Sequence, residues 1–227
     1  MFHVMTLAAL IGLAMPGLDE PPVPQVNLVG TAQSLCMLMD DTKVHKELGL
    51  SPDQTRSCML VAERTRNRLA AAYRSMKRGD SSSSEATVRS PREIEATFSK
   101  ETIETIAKTL TPEQLARFKQ IALQSGTVAT FLEPSVKQAL KLDDRQREAM
   151  LAIQNEARRT ILADVKAGKL GREEIAKKAL ELRQEGRGKA LALLTDDQKT
   201  TWDALIGKPF FQGSESPRDV GGLGKDR

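Results

Sequence analysis

"LTPEQ", Leu110–Gln114, decides how this chain is read, because variants of it recur three more times: "LSPDQ" at Leu50–Gln54, "LDDRQ" at Leu142–Gln146 and "LTDDQ" at Leu194–Gln198. With Thr111 as the N-cap of a helix, Pro112 takes the first helical position, where a missing N–H costs nothing. Glu113 then faces the positive end of the helix dipole. Gln114 sits three residues past the cap, from which its amide reaches back to the Thr111 backbone. This is a capping box, in which each side chain satisfies the other residue's backbone donor. Leu110 before the cap and Leu115 after it form a hydrophobic staple. Ser51, Asp143 and Thr195 are equally good caps, each stabilising by about 1 kcal/mol relative to alanine. Asp53, Asp144, Asp196 and Asp197 supply first-turn acids, whereas the staple lapses at Thr55, Arg147 and Lys199. The defining positions are Leu50, Ser51 and Gln54; Leu110, Thr111 and Gln114; Leu142, Asp143 and Gln146; Leu194, Thr195 and Gln198. Each has a structural role as a helix start that needs neither ligand nor catalysis.

The four copies fall into two kinds. "VHKELGLSPDQ" from Val44 and "VKQALKLDDRQ" from Val136 share their approach to the motif, with Val, Leu, Leu and Gln at the same offsets. "LTPEQLARFKQIAL" and "LTDDQKTTWDALIG" share their departure, with Phe118 matching Trp202. The order A, B, A′, B′ is the signature of an internal duplication. The interval between motifs differs between the halves because "GDSSSSEATVRSP" (Gly79–Pro91) answers to the shorter "AGKLG" (Ala167–Gly171), a turn where insertions are well tolerated.

Between motifs the period is helical: Met150, Ile153, Ala157, Ile161 and Val165 follow Gln146 at mostly three- and four-residue steps, and Ile175, Ala179 and Leu182 share a face on the return segment. The "GRG" at Gly186–Gly188 is expected to interrupt that helix. The composition agrees: 4% aromatic, 40% hydrophobic, and rich in residues that lose little side-chain entropy in a helix. The expected fold is all-α, with two tandem copies of a helical hairpin closed by a further helix. Residues 1–14 form a leader, 15–41 a partly helical N-terminal segment, 42–126 the first unit, 134–213 the second and 214–227 a tail too polar to stay ordered.

The leader carries an apolar run, Val4–Ala14, of signal-peptide length and too short to span a bilayer, with Gly12 and Ala14 as small residues at a cleavage point. It predicts an extracytoplasmic protein, although no Lys or Arg precedes the run. Net charge is +4. Residues 42–126 carry 15 bases against 10 acids and residues 134–213 carry 16 against 12, too even a mixture to point to nucleic acid. Residues 15–41 carry four acids and no base. Arg64, Arg66, Arg68, Arg74, Lys77 and Arg78 run without an intervening acid and form a candidate basic strip. Its alternative is a solvated helix face.

Cys36 and Cys58 are either one disulfide, stabilising by roughly 3 kcal/mol, or two small buried hydrophobes. His45 stands alone without Cys, Asp or His at ligand spacing, Met37 and Met39 are read as packing, and no glycine-rich phosphate loop or nucleophile elbow is present. No cofactor, metal site or catalytic residue is predicted, and no enzyme activity.

The recurring motif in a small helical chain resembles the LTxxQ family of bacterial envelope-stress proteins typified by Spy and CpxP. The match covers the four motifs, about 20 residues, and departs from the family at Asp143, where Ser or Thr is usual. The resemblance implies an all-helical cradle, here a pseudo-two-fold version within one chain or a homodimer. It further implies ATP-independent chaperone-like or stress-responsive binding of unfolded or partner proteins. The alternative function is a structural or regulatory module of the envelope that docks one specific partner.

Overall fold

The computed structural model describes residues 30–78, 90–168 and 170–210. The leader, the tail and most of the serine-rich turn fall outside the described residues. Ten α-helices and no strand occur among those described: α1 (Ala32–Asp40), α2 (Thr42–Glu47), α3 (Pro52–Arg78), α4 (Pro91–Ile106), α5 (Pro112–Gln124), α6 (Val128–Phe131), α7 (Pro134–Leu140), α8 (Asp144–Ala167), α9 (Arg172–Ala192) and α10 (Asp196–Ile206). The fold is all-α, and each of the four motifs opens a helix: α3, α5, α8 and α10.

Two long hairpins, α3–α4 and α8–α9, carry most of the length. The turn into α4 is closed by a further capping box, Ser90 with Glu93, behind which Pro91 takes the first helical position. On the other hairpin, Gly168 ends α8 in the left-handed conformation, and the Gly171 N–H that opens α9 donates to Glu174 Oε2 at 2.7 Å. The shorter closing helices α5 and α10 pack on one another. Phe118 and Trp202, the residues matched by the sequence pattern, are both buried. Trp202 meets Phe131 at a ring-centroid distance of 4.4 Å, tilted by 33°.

One apolar core runs through both halves, from Leu35 and Cys58 through Ile121 and Phe131 to Met150 and Leu205. Polar ties reinforce the seam. The Gln124 side-chain amide donates to the carbonyls of Ile206 and Lys208 at 2.7 and 2.8 Å and accepts from Phe210 N–H at 2.7 Å. Arg117 donates to Glu47 from Nε and a terminal nitrogen, at 2.9 and 2.7 Å, and to the Lys208 carbonyl at 2.8 Å.

The halves differ in how their hairpins are covered. α1 lies along α3 and α4, so the N-terminal segment contributes to the first unit instead of standing apart from it. A satellite cluster of Ala32, Leu69 and Ile94, with Tyr73, Met76 and Phe98 against it, closes that contact. Glu95 braces its end. One carboxylate oxygen accepts from Ala32 N–H at 3.0 Å, the other from Tyr73 Oη at 2.9 Å. Burial and this carboxylate push the Tyr73 hydroxyl up to about 12. On the second hairpin the covering element is the four-residue α6.

One expectation is corrected. Gly186–Gly188 does not break a helix, because α9 runs unbroken from Arg172 to Ala192. The glycine at 186 is explained by close approach: a Cβ there would stand 3.1 Å from Val128 Cγ2 and 3.4 Å from Ile153 Cγ2. The helix accepts a propensity penalty of about 1 kcal/mol so that α6 can lie against it. The apolar stripe of α8 is only partly covered. Met150 is buried, Ile153, Ala157 and Ile161 are half-buried, and Val165 is 50% exposed.

Lys141 ends α7 at φ 51°, the left-handed region, in the position before its motif that Gly49 occupies at φ 59° in the first half. A side chain pays for that conformation where glycine does not. Lys141→Gly is therefore expected to stabilise the protein by about 0.5–1 kcal/mol, read as a rise in the thermal or urea midpoint. An unchanged or lowered midpoint contradicts the assignment of strain to this residue.

Candidate functional site: paired glutamines and an uncovered groove

The capping boxes form as the sequence predicts. Thr111 Oγ1 accepts from Gln114 N–H at 3.2 Å, and Gln114 Oε1 accepts from Thr111 N–H at 3.0 Å. The Ser51–Gln54 box has the same two bonds, at 3.2 and 3.0 Å. Asp143, the departure from the usual cap, serves equally: its Oδ1 accepts from Gln146 N–H at 2.7 Å. Thr195 and Gln198 complete the set.

The structure adds what local reading missed. The motifs meet in pairs, and the glutamine amides join them. Gln54 Nε2 donates to Gln114 Oε1 at 2.8 Å, and Gln114 Nε2 returns a bond to Gln54 Oε1 at 3.3 Å. Each amide's second hydrogen reaches the loop before the opposite helix, Gln54 to the Thr109 carbonyl at 3.0 Å and Gln114 to the Leu48 carbonyl at 3.1 Å. Gln146 and Gln198 pair likewise, at 2.7 and 2.9 Å, with Gln146 also donating to the Leu193 carbonyl at 2.8 Å. Each amide oxygen accepts twice, from its own cap N–H and from the partner amide, which uses its full capacity. Glutamate lacks the donors this arrangement needs. The pairs are structural clasps that tie α3 to α5 and α8 to α10. Nothing within a single motif signals this pairing.

The candidate basic strip is partly neutralised. Arg66 pairs with Asp40 on α1. Arg68 pairs with Glu101 at 2.9 Å and lies over the Phe98 ring, 4.9 Å from its centroid. Arg64 and Arg74 are exposed. The side chains of Lys77 and Arg78 fall outside the described residues. His45 is buried, its Nε2 2.6 Å from the Met39 carbonyl, and so belongs to the core. Among the described residues no group of three or more His, Cys, Asp or Glu is placed to hold a metal ion, and no helix is long and apolar enough to cross a membrane. Cys36 and Cys58 are free and buried. Burial pushes the Cys36 thiol up to about 11 and raises that of Cys58.

The feature with binding character is a groove of about 330 Å3 between α8 and α9, bounded also by Val128 of α6 and its cap Thr127. Its floor is Ala157, Ile161, Ala179 and Leu182, and Leu162 and Arg158 stand at its edge. Leu151 and Leu162 are each 46% exposed on the same helix. Apolar surface left open on a long helix, beside a concavity of this size, is the usual setting for a partner or ligand.

No family model matches the chain, and neither a curated protein nor a solved structure matches it.

Two measurements check this description. Gln114→Ala strands the Gln54 amide and the Leu48 carbonyl, and is expected to cost about 1–3 kcal/mol of stability. Gln54→Ala is expected to cost a similar amount. The double variant should cost less than the sum by at least about 0.5 kcal/mol, because each single change already breaks the shared bonds. Strict additivity in urea unfolding would show that the amides do not act as a pair. For the thiols, the native protein at pH 8 is expected to leave both cysteines unmodified by an aromatic disulfide reagent on a minutes timescale, with both reacting once urea is added. Rapid reaction without denaturant would contradict their burial.

Proposed function

We propose that this is a non-enzymatic, extracytoplasmic helical protein that binds unfolded or partner proteins in a chaperone-like or stress-responsive way. In this reading it is built from two tandem copies of one clasp-bearing helical unit. The single observation that carries the binding reading is the uncovered apolar groove of α8–α9, flanked by exposed Leu151, Leu162 and Val165. The tandem organisation is supported by the like pairing of Gln54 with Gln114 and of Gln146 with Gln198. It is supported further by the left-handed residue shared at Gly49 and Lys141. The apolar run Val4–Ala14 and the resemblance to LTxxQ envelope proteins support an envelope location.

Client recognition of this kind uses apolar contact in a shallow site, with charge around it for attraction, and requires no nucleotide. The mixed-sign surface with a moderate positive excess suits it. A second reading, docking of one specific partner, is supported by the gathering of this apolar lining into one concavity between α8 and α9.

A light-scattering assay decides between them. Full-length protein at several-fold molar excess is expected to suppress aggregation of a chemically denatured client without ATP. No suppression overturns the chaperone reading. A stoichiometric complex with one protein in an envelope extract, in the absence of suppression, establishes the docking reading.

A further inference from the structure

We infer that the α8–α9 groove is a docking site for a short acidic apolar helix of another protein, of the same chemistry as the protein's own α1. The inference deepens the binding function proposed above and rests on it.

The two hairpins correspond position by position when counted from their motif glutamines. Fifteen positions past Gln54 lies Leu69, and fifteen past Gln146 lies Ile161; eleven positions give Thr65 and Ala157. Counted back from Gln114 and Gln198, Phe98 answers to Leu182 and Glu95 to Ala179. The groove floor Ala157, Ile161, Ala179 and Leu182 is therefore the same surface that Thr65, Leu69, Glu95 and Phe98 form on the first hairpin. There it is covered. α1 lies across it with Ala32, Leu35, Cys36, Leu38 and Met39 buried, and Thr65 and Leu69 are buried beneath.

The second hairpin has only part of that cover. By the same count α6 begins at Val128, the counterpart of Cys36, so the first turn of α1, Ala32–Leu35, has no helical counterpart over the groove. Where that turn would lie, the hairpin presents an open apolar concavity.

Charge specifies the occupant further. At the C-terminal end of α1, Asp40 pairs with Arg66, twelve positions past Gln54. Twelve positions past Gln146 stands Arg158, at the groove edge. Position 132, which answers to Asp40, is leucine. Among the described residues Arg158 makes no ion pair, and no Asp or Glu lines the groove. The open part of the site thus asks for what the first turn of α1 supplies elsewhere, small and branched apolar residues at three- and four-residue steps, together with a carboxylate within reach of Arg158 that α6 and Leu132 do not provide.

The fit is not identical. Gln154 and Arg183 stand where the first half has Ala62 and Ser99, which narrows the floor and favours alanine or serine on the docked face. Ala179 replaces Glu95, so the occupant's first N–H must find its partner within its own chain.

The test is fluorescence anisotropy of a labelled peptide of residues 31–41, TAQSLCMLMDD, with the full-length protein under reducing conditions. Saturable binding is expected. Leu162→Glu, at an exposed edge where folding tolerates a charge, should weaken it by about tenfold or more. Arg158→Glu should weaken it about three- to tenfold, with reduced sensitivity to salt. Leu60→Glu, an equally exposed leucine on α3, should leave binding unchanged, and circular dichroism confirms that each variant folds. Absence of saturable binding, or equal binding by Leu162→Glu, overturns the inference. So does a dimer in sedimentation that Leu162→Glu converts to monomer while the peptide fails to bind, since the groove is then occupied by a second copy. Client-aggregation assays on the same preparations separate the two ideas. Suppression without peptide binding sinks the groove and leaves the chaperone reading, and peptide binding without suppression does the reverse.

Discussion

The reciprocal bond between two glutamine amides is the constraint on which the rest of the structure depends. A hairpin of long helices has little to fix where its open ends sit relative to the helices that follow. The Gln54–Gln114 and Gln146–Gln198 pairs set that position, because each amide is already oriented by its own capping box. An amide held by its cap has no freedom left to spend on the partner, so the cross-bond forms at low entropic cost. Around the clasps the leucines of the motif, Leu110, Leu142 and Leu194, are buried, and the core extends from there through Phe118 and Trp202.

The hairpins projecting from these clasped bases are unequal in cover. α1 covers the apolar face of the first with Thr65 and Leu69 buried beneath it, and Glu95 anchors its N-terminal end. α6 is too short to do the same for the second. Gly186 shows that the contact α6 does make is tight, so the open groove beyond it is not a loosely packed core. It is a boundary at which the packing stops.

Much of this was legible in the residues. The capping boxes, helix order and matched Phe118 and Trp202 follow from local chemistry and period, because capping and helical propensity act over a few residues. The clasps did not follow, since an exposed glutamine amide can satisfy its hydrogens with water, and nothing local says that another motif takes water's place. "GRG" was misread for a related reason: glycine weakens an isolated helix, while here Val128 needs the space that a side chain would fill. The stripe of α8 shows the same limit, since periodicity reports which face is apolar and not whether a partner covers it, and Val165 is left exposed. The basic run of α3 looked uncompensated because Asp40 and Glu101, which neutralise part of it, arrive from other helices.

The clasps are built from amides, and an amide neither gains nor loses a proton across the range that proteins ordinarily meet. Salt screens it weakly, since no net charge is involved. A frame fastened this way keeps its shape where ion pairs would loosen, which suits a chain exposed to whatever the surrounding medium becomes. Among the four caps that orient these amides, Ser51, Thr111 and Thr195 are hydroxyls and share that indifference. Asp143 is the exception, a carboxylate accepting from Gln146 N–H. The one carboxylate among these caps thus stands at the base of the hairpin that bears the open groove, whereas the sealed hairpin is clasped at its base by neutral groups alone.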